Sequence, residues 1–198
     1  MSGPQAKTLV IACGALAREF LAVKEANGWT HLDVTCLPAT LHNRPSEIPE
    51  AVRRRIAKAR ANYDQILCLY GDCGTGGLLD AVLKEEGVER IEGAHCYAFY
   101  AGLDRFDAMM EKEIGSFFLT DFLVRHFDRL VWRGLGLDRH PELLGDYFQH
   151  YRRVIYLAQA PDASLERKAA AAARKLELPL EIVPTGLSGV DRFLAAHA

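Results

Sequence analysis

Short apolar runs alternate with helical segments along most of this chain. The apolar runs predict strands at residues 7–12, 31–37, 63–70, 88–91, 153–158 and 180–183. The segments between and after them predict helices at residues 15–27, 46–62, 78–86, 164–176 and 188–196. Because strand and helix follow one another, neighbouring strands are expected to run parallel. The pattern therefore predicts an α/β fold, with a doubly wound, mainly parallel sheet and helices on both faces.

The stretch from residue 121 to residue 151 departs from this alternation. Its helical pattern is interrupted by glycine and proline, so we predict two or three helices packed on one side as an insertion. Before it, Gly115 is predicted to end an aromatic-rich helix that begins near His95. No linker is long enough to separate domains, and the sequence predicts a single domain over residues 1–198.

Composition and charge narrow the class of protein. The chain has 198 residues, of which 49% are hydrophobic and 25% are charged, as expected of a compact protein with a substantial core. Its formal net charge of -2 gives no overall electrostatic reason to bind nucleic acid or an anionic membrane. No signal-peptide pattern opens the sequence, and no apolar stretch approaches the roughly 20 residues that span a bilayer. We therefore expect a cytoplasmic protein.

Five cysteines are the most informative residues in the sequence. In a reducing compartment an odd number of cysteines does not predict a disulfide framework. Cys13, Cys73 and Cys96 each fall where an apolar run ends and a glycine or a helix begins. Such places share one edge of a parallel sheet, so three thiols remote in sequence are expected to meet there and to hold a metal centre.

The two other cysteines have a simpler interpretation. Cys36 and Cys68 lie inside strand-like runs, where a small apolar side chain is sufficient explanation. A single loop cysteine would also be interpreted as a buried hydrophobe, but three at equivalent positions favour a shared site. Helix starts beside the three thiols are expected to lower their pKa from the free value near ~8.5.

The identity of the metal is not fixed by the spacing of the ligands. Three thiolates without an evident fourth cysteine suit a four-iron four-sulfur (4Fe–4S) cluster with one open iron, which we prefer. They also suit zinc, completed by His42, His95 or a substrate. A third interpretation is a metal-free thiol enzyme that uses His42 and Asp72 beside its cysteine.

Two further groups of residues are candidates for the chemistry. His42 and Arg44 lie in a loop after the second predicted strand, where they would act as a proton carrier and as a cation that neutralises an anionic group. A plain polar turn is an equally good interpretation of this loop. Gly14 and Gly74 are predicted to bind the cofactor, since glycine-rich turns before helices can cradle anions. The turn at Gly74 matches neither the Walker A nor the dinucleotide-binding glycine pattern.

Several sequence blocks together resemble a known family. The blocks are Ile11-Ala12-Cys13-Gly14, Leu41-His42-Asn43-Arg44-Pro45, Tyr70-Gly71-Asp72-Cys73-Gly74, His95-Cys96 and Gly115-Ser116-Phe117-Phe118-Leu119-Thr120. In this order they resemble the prokaryotic family known as domain of unknown function 1638. That family occurs in bacteria and methanogens and accompanies corrinoid-dependent methyl-transfer systems. The resemblance implies a role in metal or one-carbon chemistry. Where the family often has His-Asp-Cys, this chain has Ala94-His95-Cys96.

We therefore expect a metal-dependent enzyme that acts on a small anionic substrate, as a lyase or in sulfur or one-carbon chemistry. In the placement of three thiols on strand ends it is also similar to quinolinate synthase and to a cluster-dependent desulfidase family. The alternative is a non-catalytic zinc- or corrinoid-related accessory protein of methyl-transfer systems. The expected partners are the small-molecule substrate and a corrinoid or methyltransferase protein. A homodimer contact is expected in the aromatic region of residues 117–151.

Overall fold

The structure is a computed structural model that describes residues 6–197. In chain order its strands are β1 (Thr8–Cys13), β2 (Leu32–Leu37), β3 (Gln65–Leu69), β4 (Glu89–Arg90), β5 (Ser116–Thr120), β6 (Arg153–Ala158) and β7 (Leu180–Pro184). Its helices are α1 (Ala17–Asn27), α2 (Ile48–Ala59), α3 (Leu78–Glu86), α4 (Cys96–Ala101), α5 (Leu103–Lys112), α6 (Asp121–Arg125), α7 (Leu144–Phe148), α8 (Ala163–Lys175) and α9 (Ser188–Ala195). The chain divides into two compact units, Met1–Phe99 with Leu187–Ala198, and Tyr100–Gly186.

The first unit is built on a parallel sheet in the order β2-β1-β3-β4. All six residues of β1 are buried, as expected for a central strand covered on both faces. Helix α2 buries Ile48, Val52, Ile56 and Ala59, which recur every three or four residues along one face. Within this sheet the register pairs Cys13 at the end of β1 with the last residue of β2. The carboxyl ends of β1, β2 and β3 are therefore aligned at one edge.

The second unit contains a parallel sheet in the order β5-β6-β7. A buried polar network joins the carboxyl ends of β5 and β6. The Asp121 carboxylate accepts hydrogen bonds from the Tyr156 hydroxyl at 2.7 Å and from the Gln159 N–H at 3.2 Å. The Asp121 N–H donates to the Gln159 side-chain oxygen at 2.7 Å. Because each of these buried groups has a partner, the network fixes the two strand ends relative to each other.

The predicted α/β class with parallel strands is confirmed, and α3 has the predicted bounds. The strands lie in two sheets, and β5 is an element that the apolar pattern did not assign. Its run of aromatic residues is short, and periodicity does not separate a short apolar run of strand from helix. The predicted insertion at 121–151 corresponds to α6, a π-helical turn at Asp128–Trp132 and α7, all between β5 and β6.

The length and the hydropathy of the helices decide whether any of them could cross a membrane. Within residues 6–197, no helix combines the length and the apolar character that crossing a membrane requires.

Candidate metal centre

The three predicted cysteines lie in the first unit, at or beyond the carboxyl ends of its strands. Cys13 is the last residue of β1, Cys73 follows β3 in a turn, and Cys96 is the first residue of α4. Beyond the paired residues of β3 and β4, two backbone hydrogen bonds continue the contact between their loops. They run from the Asp72 N–H to the Gly93 oxygen at 3.2 Å and from the Cys73 N–H to the Ala94 oxygen at 2.8 Å. These bonds hold the loop that carries Cys73 against the loop that leads to Cys96.

A close approach at Gly71 makes this loop contact possible. A Cβ atom on Gly71 would lie 3.1 Å from the Gly93 oxygen, the Ala94 oxygen and the His95 Cα. Since all three atoms belong to the backbone, a larger residue would push the loop that precedes Cys96 away. Glycine at this position therefore serves the convergence of Cys73 and Cys96.

The turn that carries Cys73 has an unusual backbone. Cys73 has a φ of 51°, in the left-handed region that non-glycine residues seldom adopt, and Gly74 follows with a φ of 83°. The Asp72 carboxylate stabilises the turn by accepting hydrogen bonds from the Thr75 hydroxyl at 2.5 Å and from the Gly77 N–H at 2.9 Å. Backbone strain of this kind persists where the surroundings impose it, and it concentrates at functional sites.

The Cys13 and Cys73 side chains are buried, Cys96 is partly buried, and the three thiols are electrostatically coupled to one another. Burial raises the pKa of Cys13 to about 12 and that of Cys73 to about 11. Burial also raises the pKa of Cys96 well above its ordinary value, and the neighbouring Cys73 and Cys13 raise it further. Cys73 likewise raises the pKa of Cys13. This result is opposite to the expected lowering by helix starts, because the cost of desolvating a thiolate exceeds the stabilisation that backbone N–H groups provide.

His42 lies beside this cysteine edge, as the loop position predicted. Its Nδ1 atom is 3.9 Å from the Cys13 sulfur and 3.0 Å from the Ala39 carbonyl oxygen. Its ring is stacked on that of Tyr70, with centroids 6.3 Å apart. Arg44, the cation predicted in the same loop, lies at the surface instead of beside the cysteines. Its side chain is 75% exposed and forms an ion pair with Glu47 at 3.4 Å.

The two glycines predicted to bind the cofactor have steric roles in the structure. A Cβ atom on Gly14 would lie 3.1 Å from the Leu37 carbonyl oxygen, so glycine allows the chain after β1 to pass close to the end of β2. At Gly74, the positive φ of 83° favours glycine, and a Cβ atom there would meet the Pro45 side chain only at ordinary contact distance. Each glycine lies next to one of the candidate cysteines.

Two buried polar residues at this edge were missed from the sequence. Tyr70 is fully buried between β3 and the Cys73 turn, and its hydroxyl lies beside the Cys13 thiol but makes no hydrogen bond of regular geometry within residues 6–197. Burial raises its pKa, and the nearby Cys13 adds to that increase. Glu19 on α1 is 6% exposed, and its carboxylate raises the pKa of Cys96. The sequence contained one indication that Glu19 is buried, because it lies three residues after Leu16 and so shares the buried face of the helical segment.

Cys36 and Cys68 lie as their strand positions predicted. Cys68 is fully buried within β3, and Cys36 is partly buried within β2, paired in register with Ala12. Since side chains alternate along a strand, the register places Cys36 on the opposite face of the sheet from Cys13.

Cys13, Cys73 and Cys96 are close enough to affect one another's pKa, but their side chains are not already arranged as metal ligands. Across residues 6–197, no group of three or more His, Cys, Asp or Glu side chains is arranged so that it could hold a metal ion. The chemistry of the donors nevertheless fits a thiolate-held centre, because three coupled thiols at one edge are the soft ligands of iron–sulfur clusters and zinc. The buried Tyr70 hydroxyl, which makes no hydrogen bond of regular geometry within the described protein, adds a donor beside the Cys13 thiol.

Comparisons with known proteins place the chain in context. A family model described as "Protein of unknown function (DUF1638)" matches residues 36–194, a range that contains Cys73 and Cys96 but not Cys13. A search of curated proteins found no match. Among solved structures, ornithine carbamoyltransferase from Pyrococcus furiosus is similar, with 15% sequence identity and a TM-score of 0.27. That match covers 90% of this chain and 54% of the carbamoyltransferase chain, so this chain spans about half of its length.

Proposed function

The chain belongs to the DUF1638 family, proteins of unknown function, and from this premise we propose that it is a metal-dependent enzyme whose centre is held by Cys13, Cys73 and Cys96. The proposed centre is a 4Fe–4S cluster with one iron free for a small anionic substrate. The supporting observation is that three thiols from three separate segments lie at one sheet edge, each within electrostatic range of another.

The raised pKa values support a role that depends on a cation. With pKa values of about 12 and about 11, Cys13 and Cys73 are protonated at neutral pH when no cation is present. Reactive thiol enzymes instead lower the pKa of their cysteine, which weighs against the metal-free interpretation. A bound metal would displace the thiol protons and compensate the mutual repulsion of three thiolates.

The residues around the thiols have distinct proposed roles. When bound, the cluster supplies an electrophilic iron that binds and polarises the substrate. His42, 3.9 Å from the Cys13 sulfur, holds or delivers a proton at its ring nitrogen. Arg44 neutralises the anionic group of the substrate once its exposed ion pair with Glu47 opens, which costs little at the surface. The buried Tyr70 hydroxyl donates a hydrogen bond to a thiolate ligand or to the substrate.

The wider context of the proposal combines the family resemblance, which implies one-carbon chemistry and a methyl-transfer partner, with the location and dimer contact expected from the sequence pattern. The enzyme works in the cytoplasm, in lyase, sulfur or one-carbon chemistry, beside a corrinoid or methyltransferase protein. A homodimer contact is proposed in the region of residues 117–151.

Metal analysis of anaerobically purified protein tests the proposal. We expect brown protein with broad near-ultraviolet and visible absorption and about four iron and four sulfide per chain. Colourless protein with one zinc per chain would keep the cysteine site but replace the cluster with zinc. Protein that binds neither metal after reconstitution would overturn the proposed function.

Replacing Tyr70 with phenylalanine tests the role of its unpartnered hydroxyl. Losing a hydrogen-bonded buried hydroxyl costs about 1–3 kcal/mol of stability, whereas losing an unpartnered one is neutral or stabilising. We therefore expect metal-free Tyr70→Phe protein to be at least as stable as the wild type, and the loaded variant to release its metal to a chelator faster.

The matched control is Tyr156→Phe. Tyr156 is equally buried, but its hydroxyl donates to Asp121 at 2.7 Å. Thermal denaturation should show a loss of stability for this variant alone. Equal destabilisation of both metal-free variants would contradict the role assigned to Tyr70.

A further inference from the structure

A cleft of about 510 Å³ in the second unit is lined by cationic side chains. It lies between α8 and the segment that runs from α6 through the π-helical turn. The cations that line it are Arg125, Arg129, Arg133, Lys168 and Lys175. Its volume is within the usual range of about 300–1,000 Å³ for sites that bind small molecules.

The cations form two walls of the cleft. Arg125, Arg129 and Arg133 recur every four residues on one side, from the end of α6 to the residue after the π-helical turn. Lys168 and Lys175 lie two helical turns apart on α8, on the other side. Small alanine side chains between the two lysines, at Ala171 and Ala172, leave space between the walls.

Carboxylates compensate only part of this charge. Asp128 lines the cleft and forms an ion pair with Lys175 at 2.5 Å, and Arg125 lies 3.6 Å from the buried Asp121. Within residues 6–197, the side chains of Arg129 and Lys168 have no hydrogen-bond or ion-pair partner. Such a concentration of positive charge in a chain with a formal net charge of -2 marks a local anion site.

From this geometry we propose that the cleft binds a ligand with two or more adjacent phosphoryl groups, either as an inorganic diphosphate or as part of a nucleotide. Guanidinium groups bind phosphate oxygens in pairs, and lysine adds a compact charge. A cleft with cations on both walls favours a ligand that presents several anionic oxygens over its length, which a single phosphate does not. The inference is independent of the proposed metal centre, which lies in the other unit.

Titration calorimetry of the full chain tests this inference. At physiological salt we expect pyrophosphate to bind at least tenfold more tightly than inorganic phosphate. A nucleoside diphosphate that binds as tightly as pyrophosphate indicates recognition of the phosphates alone, and one that binds more tightly indicates a nucleotide. Pyrophosphate binding no stronger than that of inorganic phosphate would overturn the proposal.

Two double variants with the same loss of charge separate a site from a general charge effect. Arg129→Gln with Lys168→Gln removes the two unpaired cations of the cleft, and we expect pyrophosphate affinity to fall at least tenfold. Arg139→Gln with Arg167→Gln removes two exposed cations of the same unit that do not line the cleft. This control should change the affinity less than twofold, and an equal loss in both double variants would refute a defined site.

Discussion

Replacing any one of Cys13, Cys73 and Cys96 with alanine is expected to abolish metal loading of this protein. The three thiols are the proposed protein ligands, and a cluster that keeps one iron open for substrate cannot lose a second protein ligand without becoming labile. The expected change is from nearly full occupancy to below about a tenth of it, measured as iron, sulfide and zinc per chain after identical anaerobic reconstitution.

The two remaining cysteines supply matched controls. Cys36→Ala and Cys68→Ala remove thiols from β2 and β3, and both variants are expected to load metal like the wild type. Circular dichroism of every metal-free variant checks that loss of metal does not follow from loss of fold. Equal metal content in all five variants would refute the ligand assignment, whatever the metal proves to be.

Replacing Gly189 with alanine is expected to destabilise the first unit strongly. A Cβ atom at this position on α9 would lie 1.9 Å from the Phe99 carbonyl oxygen and 2.9 Å from its carbon. Both are backbone atoms of α4, so the clash requires a shift of a helix. The expected cost is about 3 kcal/mol, at the upper end for overpacking. It corresponds to a melting temperature lower by roughly 6–12 °C for a chain of this size.

A second helical glycine provides the control for this variant. Gly145 also occupies the second position of its helix, but a Cβ atom there would meet no other atom within 4 Å. Gly145→Ala should therefore leave the free energy of unfolding unchanged or raise it by up to about 1 kcal/mol, with a melting temperature equal to or slightly above that of the wild type. If both variants melted alike, the close approach of α9 to α4 would not be present in solution. Because α4 begins at Cys96, we also expect Gly189→Ala to bind metal less well.

Much of the candidate site was predictable from local sequence pattern. An apolar run that ends at Cys13 correctly predicted this residue at the end of a strand, and another that ends just before the glycine-rich turn correctly predicted Cys73 beyond the end of the next parallel strand. His42 was likewise predicted to lie near them, because loops that follow parallel strands share the carboxyl edge of the sheet. Glu19 was not predicted, since its burial depends on what packs over α1.

The sequence by itself determined the local elements of this protein and their parallel α/β arrangement. Periodicity reports which positions of a strand or helix are apolar, and that is a property of neighbouring residues. Only the tertiary structure decided how the strands divide between two sheets, because β5 pairs with β6 across more than thirty intervening residues.

The same distinction applies to the chemistry of the two candidate sites. The raised pKa values of the thiols, the unpartnered hydroxyl of Tyr70 and the cationic cleft in the second unit all depend on contacts between distant segments. Burial and electrostatic coupling arise from atoms that packing brings together, and no local pattern of residues encodes their distances. The sequence therefore located the cysteines, whereas the fold decided their protonation and their neighbours.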